Sequence, residues 1–384
     1  MGGMGASSEV KERPKKWYFS ILLHSTMFYI MLCFAGYTCI GRHLESESPL
    51  FEPLVFLLLR HWSSALILLL AVICKDGAVK FPRSEDMGRI LLCGCLGIAA
   101  TQLLFIFGLR ATTATNAACI EPLIPCVTFI LATIFGFEQT KWDRTFYLRV
   151  FGVMVGCAGA MVTTLGHTRS QIRMPGIGTV PRLGQHLPKS AGDIAIVLQC
   201  FTLSMFILLT KELAKKYSPM WLTAYCMLAG ALFTSLVTLL SLVASGGEWP
   251  GWDKWHFDEA FALEEVYASL IASVQNYALR MWAIQYLHAT TVSMYFCIDP
   301  PATALFAAIF LGESIHARQV IGGMLILVGM YVTIKFSEGN ISKSKELEND
   351  AMEGITLEYN DEDEDEEFGG ESGPLLKNVQ GKIN

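Results

Sequence analysis

Ten long apolar stretches separated by short polar connections run through most of this chain of 384 residues. They lie near 17–40, 51–74, 88–108, 114–137, 146–166, 192–211, 219–244, 264–287, 289–311 and 318–336. An apolar helix of about 20 residues spans the hydrocarbon core of a bilayer, because each residue adds about 1.5 Å. The pattern therefore predicts an all-α membrane protein with ten transmembrane helices.

Charge is divided unevenly between this apolar body and the two ends of the chain. Residues 338–384 hold 14 acidic and 4 basic residues, a net charge of −10, whereas the rest holds 25 basic and 21 acidic residues, a net charge of +4. We predict a basic cytosolic segment at 1–16 and a disordered acidic cytosolic tail at 337–384. Most basic connections fall on one side of the membrane if the N-terminus is cytosolic, so the positive-inside rule favours cytosolic termini.

An internal repeat relates the two halves of the chain. Residues 119–122, Cys-Ile-Glu-Pro, recur as Cys-Ile-Asp-Pro at 297–300, and residues 109–113, Leu-Arg-Ala-Thr-Thr, recur as Leu-His-Ala-Thr-Thr at 287–291. Several matches in the same order indicate a duplicated unit.

The repeat has a consequence for topology. We expect five-helix repeats at 17–166 and 192–336, joined by a linker rich in glycine and proline at 167–191. Because five is an odd number, the second repeat must enter the membrane upside down relative to the first. Inverted repeats are typical of carriers that work by alternating access, with the substrate site near the middle of the membrane.

Two carboxylates, Glu121 and Asp299, lie inside the fourth and ninth predicted helices, at matching positions of the repeat. A charge in the hydrocarbon core costs about 2.5–3.5 kcal/mol on insertion scales, so each marks a candidate functional site. Proline removes a backbone donor, and we expect helix breaks at Pro122, Pro125, Pro300 and Pro301. Beside such a break an acid can bind substrate, a cation or a proton; the alternative is a structural ion pair with Arg60 or Arg280.

Other polar residues inside the predicted helices are candidates for the same site. A buried guanidinium can hold a substrate carboxylate with two hydrogen bonds. An amide can line the path, or can simply bond a neighbouring helix. The candidates are Arg60, Arg280, Gln102, Asn116, Gln199 and Asn276.

Glycine faces occur in the fifth and tenth predicted helices, at 152–159 and 322–329. Small residues let helices approach closely. We expect these faces to pack within one chain, and a homodimer interface is the alternative.

Three segments of the sequence also resemble a known family. Residues 97–138, with Phe-Gly-Leu at 107–109 and Pro-Cys-Val-Thr-Phe-Ile-Leu-Ala at 125–132, resemble the EamA-type drug/metabolite transporter superfamily. Residues 300–313, ending in Leu-Gly-Glu, resemble its second repeat. Residues 215–219, Lys-Lys-Tyr-Ser-Pro, resemble the plant walls-are-thin, nodulin-like branch.

This resemblance covers about 17–336 and implies ten helices, cytosolic termini and movement of small metabolites, including amino acids and auxin-like acids. One departure concerns the substrate. In that branch an amide or a small polar residue usually stands at the position of Glu121, and the proline of the ninth helix seldom follows an acid such as Asp299.

We therefore expect a secondary transporter of small organic metabolites that is coupled to protons through Glu121 or Asp299. A nucleotide-sugar or sugar-phosphate exchanger is one alternative, although the helices offer only Arg60 and Arg280 as cations for phosphate. A receptor or scaffold that acts through the acidic tail is another. No nucleophile–base pair, phosphate-binding loop or metal cluster stands out, so we expect no enzyme, cofactor, metal or nucleic-acid partner.

A short motif near the C-terminus bears on location. An acid separated by three residues from a leucine pair is the pattern read by cytosolic sorting adaptors, and here it comprises Glu371, Leu375 and Leu376. We expect an endolysosomal or vacuolar membrane, with the plasma membrane as the alternative.

Overall fold

The computed structural model describes residues 16–47, 53–77, 81–111, 117, 120–137, 143–164, 189–244, 246, 259–311 and 315–337. Residues up to Ile334 belong to one compact unit, and the second unit, Lys335–Asn384, contributes only residues 335–337 to these ranges. Nearly all of the N-terminal segment, most of the linker and the acidic tail lie outside the described residues, as does the sorting motif at 371–376.

The regular elements within these ranges are all helical. Their bounds are α1 Lys16–Glu47, α2 Pro53–Asp76, α3 in three consecutive parts (Ser84–Cys93, Gly94–Ala100 and Thr101–Ala111), α4 in two parts (Glu121–Leu123 and Ile124–Ile134), α5 Arg144–Thr164, α6 Lys189–Ala214, α7 Pro219–Ala244, α8 in three parts (Glu259–Tyr267, Ala268–Gln275 and Asn276–Ile284), α9 in three parts (Ala289–Met294, Tyr295–Ile298 and Asp299–Leu311) and α10 Ala317–Ser337.

Eight helices of the described chain are long and apolar enough to cross a membrane, namely α1, α2, α3, α5, α6, α7, α9 and α10. Their bounds agree with the sequence-based prediction to within a few residues. This confirms an all-helical, multi-pass membrane protein. The helix α4 is shorter, at Glu121–Ile134, and α8 does not belong to the eight. That α4 and α8 also cross the membrane stays a prediction.

Equivalent helices of the two predicted repeats are interrupted in the same way. The third helix of each, α3 and α8, contains a π-helical stretch, at Gly94–Ala100 and Ala268–Gln275. The fourth of each, α4 and α9, contains a 3₁₀ stretch, at Glu121–Leu123 and Tyr295–Ile298. Proline supplies no backbone N–H, and a proline follows each of Glu121 and Asp299 at these changes of pitch.

The helix α6 lies in the middle of the bundle and packs against α3, α4, α8 and α9. Its residues Phe206, Ile207 and Leu208 are no more than 2% exposed. Close approach of α3 requires a glycine, because a Cβ on Gly97 would overlap the ring of Phe206. This close contact holds α3 and α6, which both carry cavity-lining residues, next to each other.

The glycine faces of α5 and α10 pack against each other within the chain. A Cβ on Gly159 would lie 2.7 Å from the carbonyl oxygen of Gly322, and a Cβ on Gly152 would lie 2.9 Å from that of Gly329. Backbone therefore lies directly against backbone along this contact. The expected packing within one chain is confirmed for these two helices.

Candidate functional site

A cavity of about 1150 Å³, counted to its open mouth, lies among α1, α2, α3, α4, α6, α8 and α9. Both halves of the chain contribute to its wall. Six of the eight residues that the sequence singled out for binding line it: Arg60, Gln102, Glu121, Gln199, Arg280 and Asp299.

Arg280 of α8 is held between two aromatic rings at the cavity wall. Its guanidinium carbon lies 4.9 Å from the ring centre of Tyr277 and 5.0 Å from that of Phe296. Its Nε is buried and has no hydrogen-bond partner among the described residues. Cation–π contacts stabilise the charge without using the N–H donors, so Arg280 keeps donors for a ligand.

Arg60 of α2 makes a hydrogen bond in addition to a cation–π contact. It is 4% exposed, its guanidinium carbon lies 5.0 Å from the ring centre of Tyr37, and its Nε donates to Ser273 Oγ at 2.7 Å. Within the described ranges neither Arg60 nor Arg280 has a carboxylate oxygen within 4 Å. Two buried cations thus border the cavity without a described ion-pair partner.

Two carboxylates, Glu121 and Asp299, line the same cavity as these two arginines. Glu121 opens the 3₁₀ stretch of α4, Asp299 opens the last α-helical part of α9, and both side chains are half-buried. Thr303 Oγ1 donates to Asp299 Oδ1 at 3.5 Å. Pro122 and Pro300, which follow the two acids, also line the cavity. The arrangement can accept a cationic group or a proton beside two guanidinium groups.

The two glutamines of the cavity lie on facing helices. Gln199 of α6 is 5% exposed, and its Oε1 accepts a hydrogen bond from Cys200 Sγ at 3.5 Å. Gln102 of α3 is half-buried. Next to them, the hydroxyls of Thr101 and Thr202 lie 3.1 Å apart and join α3 to α6.

Three other candidates are not part of the cavity lining, and a fourth lies outside the described residues. Asn276 is fully buried, and its amide donates to the carbonyl of Ile30 at 3.3 Å. Asn116 lies outside the described residues. Pro125 and Pro301 are not part of the cavity lining.

The aromatic residues of the cavity wall were not predicted from the sequence. These residues are Phe34, Tyr37, Phe56, Phe105, Tyr277 and Phe296. An aromatic residue in an apolar helix has no pattern that separates a cavity-facing side chain from a lipid-facing one. The spacing of Tyr277 from Arg280, one helical turn, is the only signal that suggests a shared face.

A polar cluster, which we call the end tie, joins the start of α3 to the turn between α6 and α7. Asp86 accepts hydrogen bonds from Lys216 Nζ at 2.9 and 3.2 Å and from the Tyr217 hydroxyl at 2.9 Å, and its side chain is only 3% exposed. Gln285, after α8, donates to the carbonyl of Ala214 at 2.6 Å. The contact links the first half of the chain to the second.

The end tie lies far from the cavity residues of α3. Gln102 follows Asp86 by 16 residues, which is about 24 Å at 1.5 Å per residue. The cavity is therefore separated from the end tie by several helical turns.

Comparisons with known proteins agree with this architecture. The model of the EamA-like transporter family matches the chain twice, over residues 21–165 and 190–335. Protein WALLS ARE THIN 1 of Arabidopsis thaliana is 23% identical over 371 residues, which cover 93% of this chain and 90% of that protein. WAT1-related protein At3g28050 of the same plant is 24% identical over 376 residues, covering 95% and 98%.

A solved crystal structure of a protein shares the fold. It superposes with a TM-score of 0.62 at 14% sequence identity and covers 84% of this chain and 98% of that chain. The resemblance to the walls-are-thin branch that the sequence indicated is confirmed by these relatives.

Proposed function

Because the chain belongs to the EamA-like transporter family, a family of membrane transporters, we propose that it is a secondary transporter that moves a small organic metabolite by alternating access. The observation that carries this proposal is the cavity with two arginines and two carboxylates between helices of both halves. Charged side chains among apolar helices cost free energy, so they mark a candidate functional site.

The proposed architecture has ten transmembrane helices in two inverted repeats, 17–166 and 192–336, with the linker 167–191 between them. The double match to the family model and the equivalent interruptions in α3 and α8, and in α4 and α9, support a repeat. Both termini lie in the cytosol in this proposal. The acidic dileucine pattern favours an endolysosomal or vacuolar membrane, with the plasma membrane as the alternative.

The proposed substrate class is a small organic acid or amino acid. Arg280 supplies buried donors for a carboxylate, and charge-assisted hydrogen bonds of this type are among the strongest in proteins. The aromatic rings beside it supply an apolar surface for the rest of the molecule. Glu121 and Asp299 balance the two arginines and are the proposed partners of an amine or a proton.

The same charges argue against the alternatives. Phosphate groups of nucleotide sugars and sugar phosphates need several cations, whereas the described lining offers only Arg60 and Arg280, which Glu121 and Asp299 already balance. A receptor or scaffold that acts through the tail has no use for a charged cavity in its membrane body.

The proposal is tested by solute counterflow in proteoliposomes. Vesicles loaded with one unlabelled organic acid or amino acid take up the labelled compound faster than unloaded vesicles if the chain exchanges it. Nucleotide sugars and sugar phosphates complete the panel, and protein-free vesicles are the control. Trans-stimulated uptake of a carboxylate compound supports the proposal. Stimulation by nucleotide sugars alone, or by no compound in the panel, contradicts it.

A further inference from the structure

A further carboxylate, Glu265 of α8, faces α2 and is not part of the cavity lining. Its Oε1 lies 2.8 Å from Ser269 Oγ and 3.1 Å from Ser63 Oγ. Ser63 Oγ lies 2.6 Å from Ser269 Oγ and 2.8 Å from the carbonyl oxygen of Leu59. Oxygen atoms of α8 and α2 thus form a continuous chain from Glu265 through Ser269 and Ser63 to Leu59.

This chain needs more protons than the two serines provide. Its three short contacts, of 2.8, 2.6 and 2.8 Å, are O–H···O hydrogen-bond distances, and each requires one proton. Each serine hydroxyl carries one proton, and the carbonyl of Leu59 carries none. The third proton has to come from Glu265, whose carboxyl then donates to Ser269, while Ser269 donates to Ser63 and Ser63 donates to the carbonyl.

The second carboxyl oxygen supports the same protonation state. Oε2 of Glu265 is buried and has no hydrogen-bond partner among the described residues. An ionised carboxylate would leave half of its charge on an oxygen without a donor, which is costly away from water. The neutral acid leaves only a carbonyl oxygen there.

The surrounding charges do not compensate an ionised Glu265 by direct contact. Arg60 is the nearest described cation, but its Nε–H donates to Ser273 and its nitrogens lie more than 4 Å from the Glu265 oxygens. His61 points away and bonds Thr234 of α7 at 3.0 Å. The described charged or titratable side chains near this part of α8 are Arg60 and His61 on α2, Tyr29, Cys33, Tyr37 and Cys39 on α1, and Glu264 and Tyr267 on α8 itself.

We propose that Glu265 is a proton-binding site, separate from Glu121 and Asp299, which holds its proton while α2 and α8 are packed as seen here. One further step rests on the proposed transport function. Since α2 and α8 belong to different halves, movement between the halves separates Glu265 from Ser63. The carboxylic acid then gives its proton to water and becomes a carboxylate, which links proton release to the conformational change.

The protonation is tested by infrared spectroscopy of the full-length protein in lipid at neutral pH, which needs no substrate. One component of the carboxylic-acid carbonyl band is expected in the wild type, missing from Glu265→Gln in a difference spectrum and kept in Glu212→Gln, a matched change at an exposed carboxylate paired with Lys215. In Ser269→Ala, which loses the acceptor of the carboxyl proton, the band should shift rather than vanish. A band that is identical in the wild type, Glu265→Gln and Ser269→Ala overturns the proposal.

The coupling is tested in proteoliposomes that hold a substrate found by counterflow. Glu265→Gln should keep counterflow within about twofold but lose accumulation driven by a pH gradient by at least about tenfold. Equal loss of both, or loss of neither, contradicts the coupling. If the wild type exchanges no substrate, the proposed function fails while the infrared result still decides whether Glu265 binds a proton.

Discussion

The contact between α5 and α10 offers a prediction whose magnitude follows from the structure. In Gly159→Ala the new Cβ would lie 2.7 Å from the carbonyl oxygen of Gly322 and 2.8 Å from the Cβ of Leu325. Favourable carbon–carbon contacts lie at about 3.5–4.0 Å, so α10 has to move away by on the order of 0.7 Å. Overpacking of this kind costs about 1–3 kcal/mol.

The helix propensity of alanine partly offsets this cost. Alanine is favoured over glycine inside a helix by about 0.8–1.0 kcal/mol. Gly88 of α3 provides a matched control, because a Cβ there meets nothing within 4 Å. We expect Gly159→Ala to lower the thermal unfolding midpoint of the purified protein and Gly88→Ala to leave it unchanged or raise it slightly.

The assay is thermal unfolding in detergent combined with size-exclusion chromatography. Equal effects of Gly159→Ala and Gly88→Ala would refute the packing argument. A change of oligomeric state in Gly159→Ala without loss of thermal stability would instead favour the glycine faces as a dimer interface.

Three further predictions concern coupling, the end tie and location. Glu121→Gln or Asp299→Asn should abolish uptake driven by a pH gradient, and unchanged pH dependence in both variants would contradict a coupling role. Asp86→Asn removes the charge that Lys216 bonds, so hydrogen–deuterium exchange should rise in the turn 215–218; exchange equal to the wild type would contradict the view that the end tie holds this turn in place. Deleting 338–384 should change the location in cells but keep counterflow in vesicles, whereas loss of counterflow would favour the scaffold alternative.

The sequence predicts the helices well because a helix that crosses the hydrocarbon core has to be apolar and about 20 residues long. The bounds of α7 and α9 agree with prediction to the residue, at Pro219–Ala244 and Ala289–Leu311. The predicted start of α4, near 114, stays a prediction, because residues 114–119 lie almost entirely outside the described chain. The π-helical stretches of α3 and α8 were not predicted, because a hydropathy pattern does not distinguish a π-helical turn from an α-helical one.

Only some of the residues discussed above were predicted from the sequence, and the reason differs from residue to residue. Glu121, Asp299, Arg60 and Arg280 were found because a charge in an apolar helix is costly and therefore conspicuous. Glu265 lies near the start of α8, where an acid resembles an ordinary helix end. Its relation to Ser63, 202 positions earlier, depends on tertiary packing that no local pattern records.

The central claim is that the cavity binds the substrate and that Arg280 holds its carboxylate. Isothermal titration of a compound identified by counterflow into the purified wild type and Arg280→Ala tests this claim most directly. A hydrogen bond to a charged group contributes about 1.5–3 kcal/mol, so the dissociation constant should rise by about 10- to 150-fold. Lys215→Ala, at an exposed surface cation, should bind like the wild type. Binding to Arg280→Ala that equals the wild type would contradict the claim.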